Sequence, residues 1–360
     1  MTKSFVHLHA HTEYSMLDGA AKIVDYLKKV KELNQPAAAI TDHGNLYGAM
    51  EFVQKANDLG IKPIIGYEAY ITPGSRFDRP DRENNKRYHL TLLAENNIGY
   101  QNLVELVSKA YTEGYYYKPR IDYELLDQHH DGLIALSGCL GGELAQHLAP
   151  DGSVEEGNTS NERSFEKALD IAKKYQSIFG KENYFIEIHN HGIKQQLDIL
   201  DDLVEIAELI DAPLVAANDS HYVEENGAEA HDALLCVQTN RTLDDESRFR
   251  FDGSGYYVKS AEEMRKLFPE DKYPGACDNT LAIANRVNYE FNFDNSYLPD
   301  FPIEDKNVSP EELLKIKVYE GGESKYGTLT SEIIERIDYE LDVINSMGFA
   351  SYFLIVGDLI

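Results

Sequence analysis

Short apolar runs alternate with amphipathic stretches from the start of the chain to about residue 240. The short runs are rich in Val, Ile, Tyr and Phe, which is typical of β-strands, and the stretches between them space apolar residues as helices do. Repeated strand–helix units predict a parallel sheet. Seven units suit a barrel-like α/β fold better than two separate domains. The predicted strands are Phe5–His9, Ala37–Thr41, Lys62–Ile71, Tyr88–Leu93, Leu133–Ser137, Tyr184–His189 and Leu214–Asn218.

Polar segments interrupt this pattern in two places. Asp151–Ser164 is rich in Gly, Ser and charged residues, which predicts a surface loop. Near YLPDFPIEDKNVSP the Pro and Asp content rises, so we divide the chain into residues 1–295 and residues 296–360. Beyond that boundary, EELLKIKVYEGGESKYG and SEIIERIDYELDVINSMGF are typical of amphipathic helices. The chain stops within the apolar run YFLIVGDLI, which we interpret as a cut in a longer protein.

Composition narrows the class of protein. A hydrophobic content of 42% in 360 residues is enough for a large core. The three cysteines are too few and too scattered for a disulfide framework, which favours a reducing compartment. The N-terminus lacks the apolar stretch of a signal peptide, and YFLIV is too short to span a bilayer. We therefore expect a cytoplasmic protein that has no membrane partner.

The net charge of −28 bears on the substrate. Non-specific DNA affinity comes largely from Lys and Arg side chains that neutralise phosphates, so this charge counts against a general nucleic-acid binder. If DNA is the substrate, bound divalent cations or another part of a longer polypeptide must offset the repulsion. Charge alone favours a small substrate.

Potential metal ligands stand at the ends of nearly every predicted strand. In a parallel α/β barrel the carboxyl ends of the strands meet at one face, and that face carries the active site. Residues two apart in a strand share a face, so two pairs, His9 with His11 and Asp219 with His221, each point the same way. The candidates are His9, His11, Asp18, His43, Glu68, His89, Cys139, Asp219 and His221.

Each candidate also has an ordinary structural explanation. A single histidine in a strand is commonly a hydrogen-bonded core residue, Asp18 could cap a helix, and Cys139 could be a small buried apolar residue. Glu68 is hardest to explain in this way, because a carboxylate among Ile64, Ile65 and Tyr67 needs a partner if it is buried. Nine such coincidences at successive strand ends favour a shared site.

Seven motifs carry a resemblance to a known family. The segments HLHAHTEYSMLDG, ITDHGNLYGAMEF, GIKPIIGYEAYI, HLTLLAEN, YYYKPRIDYELL, LIALSGC and AANDSHY resemble the PHP (polymerase and histidinol phosphatase) domain of the bacterial DNA polymerase III alpha subunit. The resemblance implies a distorted seven-stranded (β/α)7 TIM-like barrel, the PHP fold, over residues 1–295. The segment after residue 296 would be a linker and the truncated start of the polymerase palm, since Asp338–Ile360 resembles that region.

The resemblance also implies a centre of three divalent metal ions. His9, His11, Glu68 and Asp219 would hold the first ion and form the catalytic core. Glu68 would bridge to a second ion, held with His89 and Cys139, and the third would be held by Asp18, His43 and His221. The mixed His, carboxylate and thiolate set fits Zn²⁺, Mn²⁺ or Fe²⁺ better than Mg²⁺.

The other histidines are expected outside the ligand set. His7 has the parity of His9 but lies lower on its strand, so we expect it beneath the site. His189 and His191 form another His-x-His pair, for which we expect a supporting role. The remaining histidines fall in helical or loop contexts and are expected to be solvated: His129, His130, His147 and His231.

The function implied by the resemblance is a metal-dependent 3′–5′ exonuclease that removes mispaired primer ends from DNA. Lys118 and Arg120, and then Arg76, are the candidate DNA contacts, while the charged loop around Arg79, Arg82, Lys86 and Arg87 and the SRFRF residues Arg248 and Arg250 are weaker candidates. The expected partners are the primer 3′ end, the rest of the polymerase polypeptide and replisome subunits. No polymerase activity is expected, because that family's polymerase carboxylates lie later in the palm. Two alternatives stay open: a small-molecule phosphatase of the histidinol-phosphate type and a non-catalytic, metal-binding scaffold.

Overall fold

The computed structural model describes residues 3–81, 84–150, 162–291, 293 and 299–360. These residues form two compact units, Met1–Glu290 and Phe291–Ile360. The boundary expected between residues 295 and 296 lies outside the described residues, so its position stays a prediction. Arg82 and residues 151–161 of the expected surface loop also lie outside them.

The first unit is built on one curved sheet with helices against it. Its strands follow the order β1-β2-β3-β5-β6-β7, and β4 pairs with β2 outside this path. Every residue of β1, β3, β5, β6 and β7 is buried. The strands are β1 (Ala37–Ile40), β2 (Lys62–Ile71), β3 (Tyr88–Ala94), β4 (Arg120–Ile121), β5 (Leu133–Leu136), β6 (Tyr184–Ile188) and β7 (Leu214–Ala216).

An extended N-terminal segment closes the sheet between β7 and β1. The amide of His11 donates to the carbonyl of Ser220 over 2.8 Å, and the amide of Ala39 donates to the carbonyl of His7 over 3.0 Å. The strand predicted over Phe5–His9 is therefore wrong as a regular strand, although the segment occupies a strand's place. One reason is that the Ala10 amide donates to the Thr41 side-chain oxygen, at 2.8 Å, instead of to a backbone carbonyl.

The expectation of an all-parallel sheet is wrong at β3. This strand pairs antiparallel with both β2 and β5, while the pairs β1–β2, β5–β6 and β6–β7 are parallel. The connection from β2 to β3 contains no α-helix in its described part, and an antiparallel pair needs no crossover helix. Because β3 is reversed, its first residues, including His89, lie at the edge where the neighbouring parallel strands end.

The amphipathic stretches predicted between the strands form helices of the first unit, and further helices occur beside them. Apolar residues of the N-terminal segment and the strands form a core cluster that includes Val6, Leu8, Ile64, Leu136 and Val215. The helices are α1 (Ile23–Glu32), α2 (Ala49–Leu59), α3 (Asn97–Thr112), α4 (Tyr123–Gln128), α5 (Glu143–Leu148), α6 (Phe165–Phe179), α7 (Lys194–Ile210), α8 (Ala228–Thr239), α9 (Ala261–Leu267) and α10 (Asp278–Arg286).

The second unit is helical, as predicted. It contains α11 (Pro310–Tyr326), α12 (Ser331–Ser346) and α13 (Ala350–Leu359). Ser309 and Glu312 form a reciprocal capping box at the start of α11, and Pro310 occupies its first turn. A small core joins the three helices through Leu314, Leu341 and Leu354. Within the described residues, no helix is long and apolar enough to cross a bilayer.

Candidate metal centre

The structure brings all nine predicted ligands together at one face of the sheet. Two come from the N-terminal segment and one from the loop after it. The others lie within or next to strands β1, β2, β3, β5 and β7, and the reversal of β3 explains how a residue at a strand's start joins residues at strand ends. The nine side chains are His9, His11, Asp18, His43, Glu68, His89, Cys139, Asp219 and His221.

Glu68 lies at the middle of this cluster and is 1% exposed. One carboxylate oxygen, Oε1, is 3.2 Å from Nε2 of His9 and 3.0 Å from Nδ1 of His89. The other, Oε2, is 2.7 Å from Nδ1 of His43 and 3.5 Å from Nε2 of His11. Four imidazole rings therefore face one carboxylate, and each of its oxygens faces two of them.

Asp219 faces the same Nε2 atoms of His9 and His11 that Glu68 faces. Its Oδ1 is 3.2 Å from Nε2 of His11 and 3.5 Å from Nε2 of His9. The Asp219 backbone has a φ of 46°, in the left-handed region that non-glycine residues rarely adopt. Strain of this kind persists where the surroundings enforce it, and here it accompanies a carboxylate directed at two histidines.

Asp18 forms the third carboxylate position. Its Oδ2 is 2.7 Å from Nε2 of His43 and 3.3 Å from Nε2 of His221. The Nδ1 atom of His43 faces Glu68, so His43 connects this position to the central carboxylate. Asp18 therefore contacts both residues with which it is expected to share a metal position, and that sharing stays a prediction.

Cys139 extends the central position on the side of His89. Its Sγ atom is 3.6 Å from Oε1 of Glu68 and 3.6 Å from Nδ1 of His89. Burial, together with the charges of Glu68 and Asp219, raises the pKa of the Cys139 thiol to about 12. The thiol is therefore protonated at neutral pH without a cation, whereas a bound cation deprotonates a coordinating thiol.

Glu68 and His9 each hold the other in its charged form. Burial alone would raise the pKa of Glu68, but the nearby His89, His43 and His9 hold it well below its usual value. Burial alone would lower the pKa of His9, but Asp219, Glu187 and Glu68 hold it well above its usual value. This mutual dependence is typical of a cluster whose groups compete for protons with a cation.

Several inward atoms lack a hydrogen bond of normal geometry to any described residue. They are buried, and leaving such atoms unpartnered is costly unless something else binds them. A divalent cation accepts imidazole nitrogen and carboxylate oxygen as ligands, so these atoms, which face one another in ion-pair contacts without hydrogen-bond geometry, and the mixed donor set fit a metal site. The atoms are Nδ1 of His43, Oε2 of Glu68, Oδ1 of Asp219 and Nε2 of His221.

The outer nitrogen of three histidines is occupied by the protein. Nδ1 of His9 is 2.7 Å from Oε1 of Glu187, Nδ1 of His11 is 2.9 Å from Oγ of Ser15, and Nδ1 of His221 is 2.9 Å from the carbonyl of Asp219. Metal-binding histidines usually have such partners, which fix the ring and its tautomer. The three Nε2 atoms are thereby left to face the centre.

Matches to known families agree with this geometry. The model of the PHP domain matches residues 7–191, which is about half of the chain and includes seven of the nine side chains. The chain belongs to the PHP domain family. A second model, described as the bacterial DNA polymerase III alpha NTPase domain, matches residues 312–360. The likeness predicted from the motifs is therefore confirmed.

Curated relatives of this PHP-domain chain are DNA polymerase III alpha subunits. The subunit from Treponema pallidum is 44% identical over 99% of this chain and 29% of its own length. The subunit from Mycobacterium tuberculosis is 45% identical over 99% of this chain and 30% of its own length. The chain thus spans about a third or less of these relatives.

Two solved structures match the PHP-domain chain at low similarity. An amidohydrolase from Chromobacterium violaceum has a TM-score of 0.31 at 16% identity, covering 61% of this chain and 88% of its own. A two-domain protein from Bacteroides vulgatus, containing a predicted PHP-like metal-dependent phosphoesterase, has a TM-score of 0.34 at 13% identity, covering 72% of this chain and 62% of its own. Neither likeness bears on function.

Glu187 is a site residue of this PHP domain that the sequence reading missed. Its Oε1 also lies 2.9 Å from Nε2 of His189, and its Oε2 accepts from the amide of Gly138 over 2.9 Å. Burial alone would raise the pKa of Glu187, but His9 and His189 lower it to about 2. The signal was present in the sequence, because a glutamate inside the apolar run YFIEI needs a buried partner as Glu68 does.

Ser15 and Asp42 are two further site residues that the sequence analysis did not predict. Ser15 donates from Oγ to Oδ1 of Asp42 over 2.7 Å. The Oγ atom of Ser15 also lies 2.9 Å from Nδ1 of His11. Thr12 donates to Asp42 from both its amide and its hydroxyl, at 2.6 and 2.7 Å. Asp42 thus holds the loop that carries His11.

The remaining histidines follow their predictions in part. His7 is buried, and its Nε2 is 2.8 Å from the carbonyl of Lys259, which fits a place in the structural core. His191 contacts the carbonyl of Asn218 through Nε2 at 2.7 Å. The expectation of a solvated His231 is wrong, because His231 is 2% exposed and its Nε2 is 2.8 Å from the carbonyl of Asp18. The other three predicted solvated histidines are partly exposed: His129, His130 and His147.

The expected DNA contacts divide into two kinds. Arg120 is completely buried, and its guanidinium donates to the carbonyls of Gly114, Arg76 and Asp78. Arg76 is nearly buried and forms ion pairs with Glu113 and Asp122. Because their donors are already used inside the protein, the interpretation of Arg120 and Arg76 as phosphate contacts is wrong.

Lys118 remains suitable for a substrate contact. It is partly exposed, and its Nζ is 3.1 Å from the hydroxyl of Tyr70. The Tyr70 ring stacks on His43, with the two centroids 5.9 Å apart, and meets His89 edge-on. Lys118 therefore lies one aromatic side chain away from the ligand cluster.

Proposed function

We propose that this chain is a metal-dependent phosphoesterase that removes nucleotides from the 3′ end of DNA. In this proposal it is the proofreading 3′–5′ exonuclease domain of a replicative polymerase, with three divalent cations, Zn²⁺, Mn²⁺ or Fe²⁺, as cofactors. The observation that carries the proposal is the arrangement around Glu68. One buried carboxylate faces four histidines, and two further carboxylates and a thiol complete the set.

The relatives support DNA as the substrate. They are named as DNA polymerase III alpha subunits, and residues 312–360 match the second family model of that protein. DNA, the remainder of the polymerase polypeptide and replisome subunits are therefore the proposed partners. The matched second segment is also the reason for preferring DNA to a free sugar phosphate or amino-alcohol phosphate.

The distances suggest how three cations would be shared. His9, His11, Glu68 and Asp219 would hold the first, and Glu68 would share the second with His89 and Cys139. The third would be held by Asp18, His43 and His221. When bound, such cations supply a nucleophile from water at neutral pH and neutralise charge on the phosphate oxygens.

The chain's own side chains orient this chemistry. Glu187 holds the His9 ring with Nε2 inward, and Ser15 does the same for His11. Because these contacts exist before any ligand arrives, little reorganisation is needed at the moment of reaction. Lys118, beside Tyr70 at the edge of the cluster, offers a positive charge to the phosphate on the 5′ side of the scissile one.

A phosphatase for small molecules is the second candidate. The net charge of −28 favours it, because a small phosphate ester needs no extended basic surface. Its products differ, since it would release phosphate from a monoester and leave a DNA diester intact. A non-catalytic scaffold would bind metal without hydrolysing either substrate.

The test is hydrolysis of a 3′-mismatched primer–template labelled at the primer's 5′ end. Reactions contain Mn²⁺, Zn²⁺ or a chelator, and a phosphate monoester is assayed in parallel. The proposal predicts stepwise 3′ shortening that requires metal and is lost in Asp219→Asn. Asp211→Asn is the matched control, because Asp211 also has a left-handed backbone, with a φ of 55°, but is exposed at the surface.

Each other result assigns a different function. Cleavage of the monoester alone would replace the exonuclease with a small-molecule phosphatase. Bound metal with no cleavage of either substrate would replace it with a scaffold. Shortening that persists in Asp219→Asn would place the reaction elsewhere on the chain.

A further inference from the structure

Exposed tyrosines cluster beside the candidate metal centre. Tyr47 is 58% exposed, Tyr115 is 53% exposed and Tyr117 is 61% exposed, while Tyr111 is 37% exposed. Large aromatic side chains at this level of exposure lose the benefit of burial, so a group of them marks a candidate binding surface. None of these four side chains belongs to the predicted ligand set.

Three of these rings form a row. The Tyr47 and Tyr111 centroids are 6.4 Å apart, and the Tyr111 and Tyr115 centroids are 6.0 Å apart with an angle of 26° between the planes. Tyr111 lies in the last turn of α3 and Tyr115 follows that helix. We call Tyr47, Tyr111 and Tyr115 the tyrosine row. The Tyr47 and Tyr111 planes are tilted by 43°, so the three rings are adjacent without being parallel, and their exposed surfaces are available to successive groups of one extended ligand.

Both ends of this surface are connected to the metal centre by short contacts. Tyr47 lies four residues after His43, and the side chain of Asn45 accepts from the Tyr47 amide at 3.0 Å and donates to the His43 carbonyl at 2.9 Å. On the other side, Lys118 follows Tyr117 and contacts Tyr70, whose ring stacks on His43. The tyrosine row therefore begins four residues after His43, a predicted metal ligand.

The backbone at Tyr117 supports a functional role for this surface. Its φ is 63°, in the region that a bulky side chain rarely adopts. The Tyr116 ring beside it is held by a hydrogen bond from its hydroxyl to the carbonyl of Pro80, at 2.7 Å, and meets the Tyr117 ring edge-on. The strained backbone keeps Tyr117 exposed next to Lys118, and strain of this kind concentrates at binding sites.

The acidity of the chain favours a ligand that is recognised through its rings. A net charge of −28 repels a polyphosphate backbone. Stacking on aromatic side chains does not depend on charge, and it tolerates any sequence because every base has a π face. Unpaired bases can stack in this way, whereas bases within a duplex are already stacked on each other.

We propose that the tyrosine row, with Lys118, is a stacking site for the unpaired bases of a single-stranded DNA end. The inference rests on the proposed function for the choice of DNA and specifies the form of that substrate. The terminal phosphodiester lies at the metal centre, Lys118 meets a backbone phosphate, and the preceding bases stack on the row. A paired primer end cannot use the row, so fraying of a mismatch becomes the condition for entry.

The test is binding, measured without metal so that it does not depend on hydrolysis. The probe is a short oligothymidylate with 2-aminopurine near its 3′ end, whose fluorescence falls when the base stacks. We expect quenching by the full chain. The double variant Tyr111→Leu with Tyr115→Leu should bind about a hundredfold more weakly, at about tenfold per stack lost. The double Tyr→Phe variant should keep the affinity, because the rings remain.

Two controls separate stacking from other effects. Tyr326→Leu removes a tyrosine of similar exposure from the second unit and should leave binding unchanged. Binding should also depend weakly on salt, with a logarithmic slope near about −0.7, the value for one phosphate contact on a single strand. Unfolding midpoints in urea confirm that each variant is folded.

The outcomes distinguish this site from the proposed nuclease. No quenching by the folded wild-type chain, or equal binding by the Leu and Phe variants, overturns the stacking site, and a protein-docking role for the row takes its place. Quenching that the Leu variant loses and the Phe variant keeps supports it, even if the mismatch assay shows no hydrolysis. Hydrolysis of the mismatched primer with no effect of the Leu substitutions supports the nuclease and overturns the stacking site.

Discussion

Two buried clusters of charged side chains lie in the first unit, and they differ in whether their polar atoms are satisfied. The arginine cluster consists of Arg76, Arg120, Asn85, Glu113 and Asp122 and lies around β4. The ligand cluster consists of the nine side chains around Glu68. Both would be costly to bury without partners.

The side chains of the arginine cluster pair with one another and with backbone carbonyls. Arg76 pairs with Asp122 at 3.0 Å and with Glu113 at 2.7 Å. Arg120 donates to the side chain of Asn85 at 3.1 Å and to three carbonyls. Planar guanidinium groups with several fixed donors are well suited to such internal bracing.

The ligand cluster differs because some of its buried polar atoms lack hydrogen bonds. Its inward atoms include nitrogens and oxygens without a hydrogen bond of normal geometry to any described residue, while the outer nitrogens of His9, His11 and His221 are held by the protein. Since both clusters are buried and charged, burial of charge does not by itself mark a functional site. The distinguishing feature is a set of buried imidazole nitrogens and carboxylate oxygens that face one another and that suit a cation as ligands.

Glu68→Gln gives the largest expected effect. An amide cannot act as a bridging anion between two cations, so hydrolysis of the mismatched primer should fall by at least about a hundredfold. The matched substitution in the arginine cluster is Asp122→Asn, which should leave the rate per folded molecule within about twofold, as expected of a residue that contacts no substrate. Initial rates at saturating Mn²⁺ measure both, and equal losses would erase the difference between the clusters.

Arg120→Met should act on stability instead. The substitution leaves buried carbonyls and Asn85 without their donor, which should lower the free energy of unfolding by about 3 kcal/mol. Urea denaturation of the metal-free chain measures this loss. Arg163→Met removes an exposed pair with Asp202 and should cost less than about 1 kcal/mol. An unchanged unfolding free energy in Arg120→Met would mean that the arginine cluster does not brace the fold.

Glu187→Gln should weaken metal binding without unfolding the chain. Loss of the carboxylate that orients a metal-binding histidine typically reduces affinity by about 10- to 100-fold. Competition with a fluorescent chelator measures the change for Zn²⁺. Glu182→Gln, at an exposed position before the same strand, should bind like the wild type. Wild-type affinity in Glu187→Gln would show that the His9 ring is held adequately by its other contacts.

Lys118→Met gives the smallest expected effect. Loss of one partly exposed charge–phosphate contact should raise KM for single-stranded DNA by about fivefold, which corresponds to about 1 kcal/mol. Arg76→Met should change stability but not KM, because its donors are used inside the protein. Steady-state kinetics on the same oligonucleotide compare the two. A larger KM effect in Arg76→Met would mean that the arginine cluster does meet the substrate.

Much of the candidate site could be predicted because ligand chemistry is recorded locally. The His-x-His spacing of His9 and His11, and a glutamate inside an apolar strand at Glu68, are visible without tertiary structure. The same reasoning applied to YFIEI would have found Glu187. The sequence drew a supporting role only from the histidines after that strand, although the carboxylate between Ile186 and Ile188 is the more costly residue to bury.

The errors share a different cause, since they depend on which groups meet at long range. The direction of β3 is set by pairing with β2 and β5, and no local pattern records it. Arg120 was assigned to DNA because nothing in YYYKPRID shows that three carbonyls and Asn85 surround it. His231 was expected in solvent because the Asp18 carbonyl that it contacts lies 213 residues away in the sequence.

The number of metal ions bound per chain tests the central claim most directly. The chain is saturated with Zn²⁺ or Mn²⁺, freed of loosely bound ions, and analysed by inductively coupled plasma mass spectrometry beside Glu68→Gln and Asp122→Asn. The account predicts about three ions in the wild type and in Asp122→Asn, and at least one fewer in Glu68→Gln, since Glu68 is proposed to join two positions. No bound metal in the wild-type chain, or an unchanged metal content in Glu68→Gln, would contradict it.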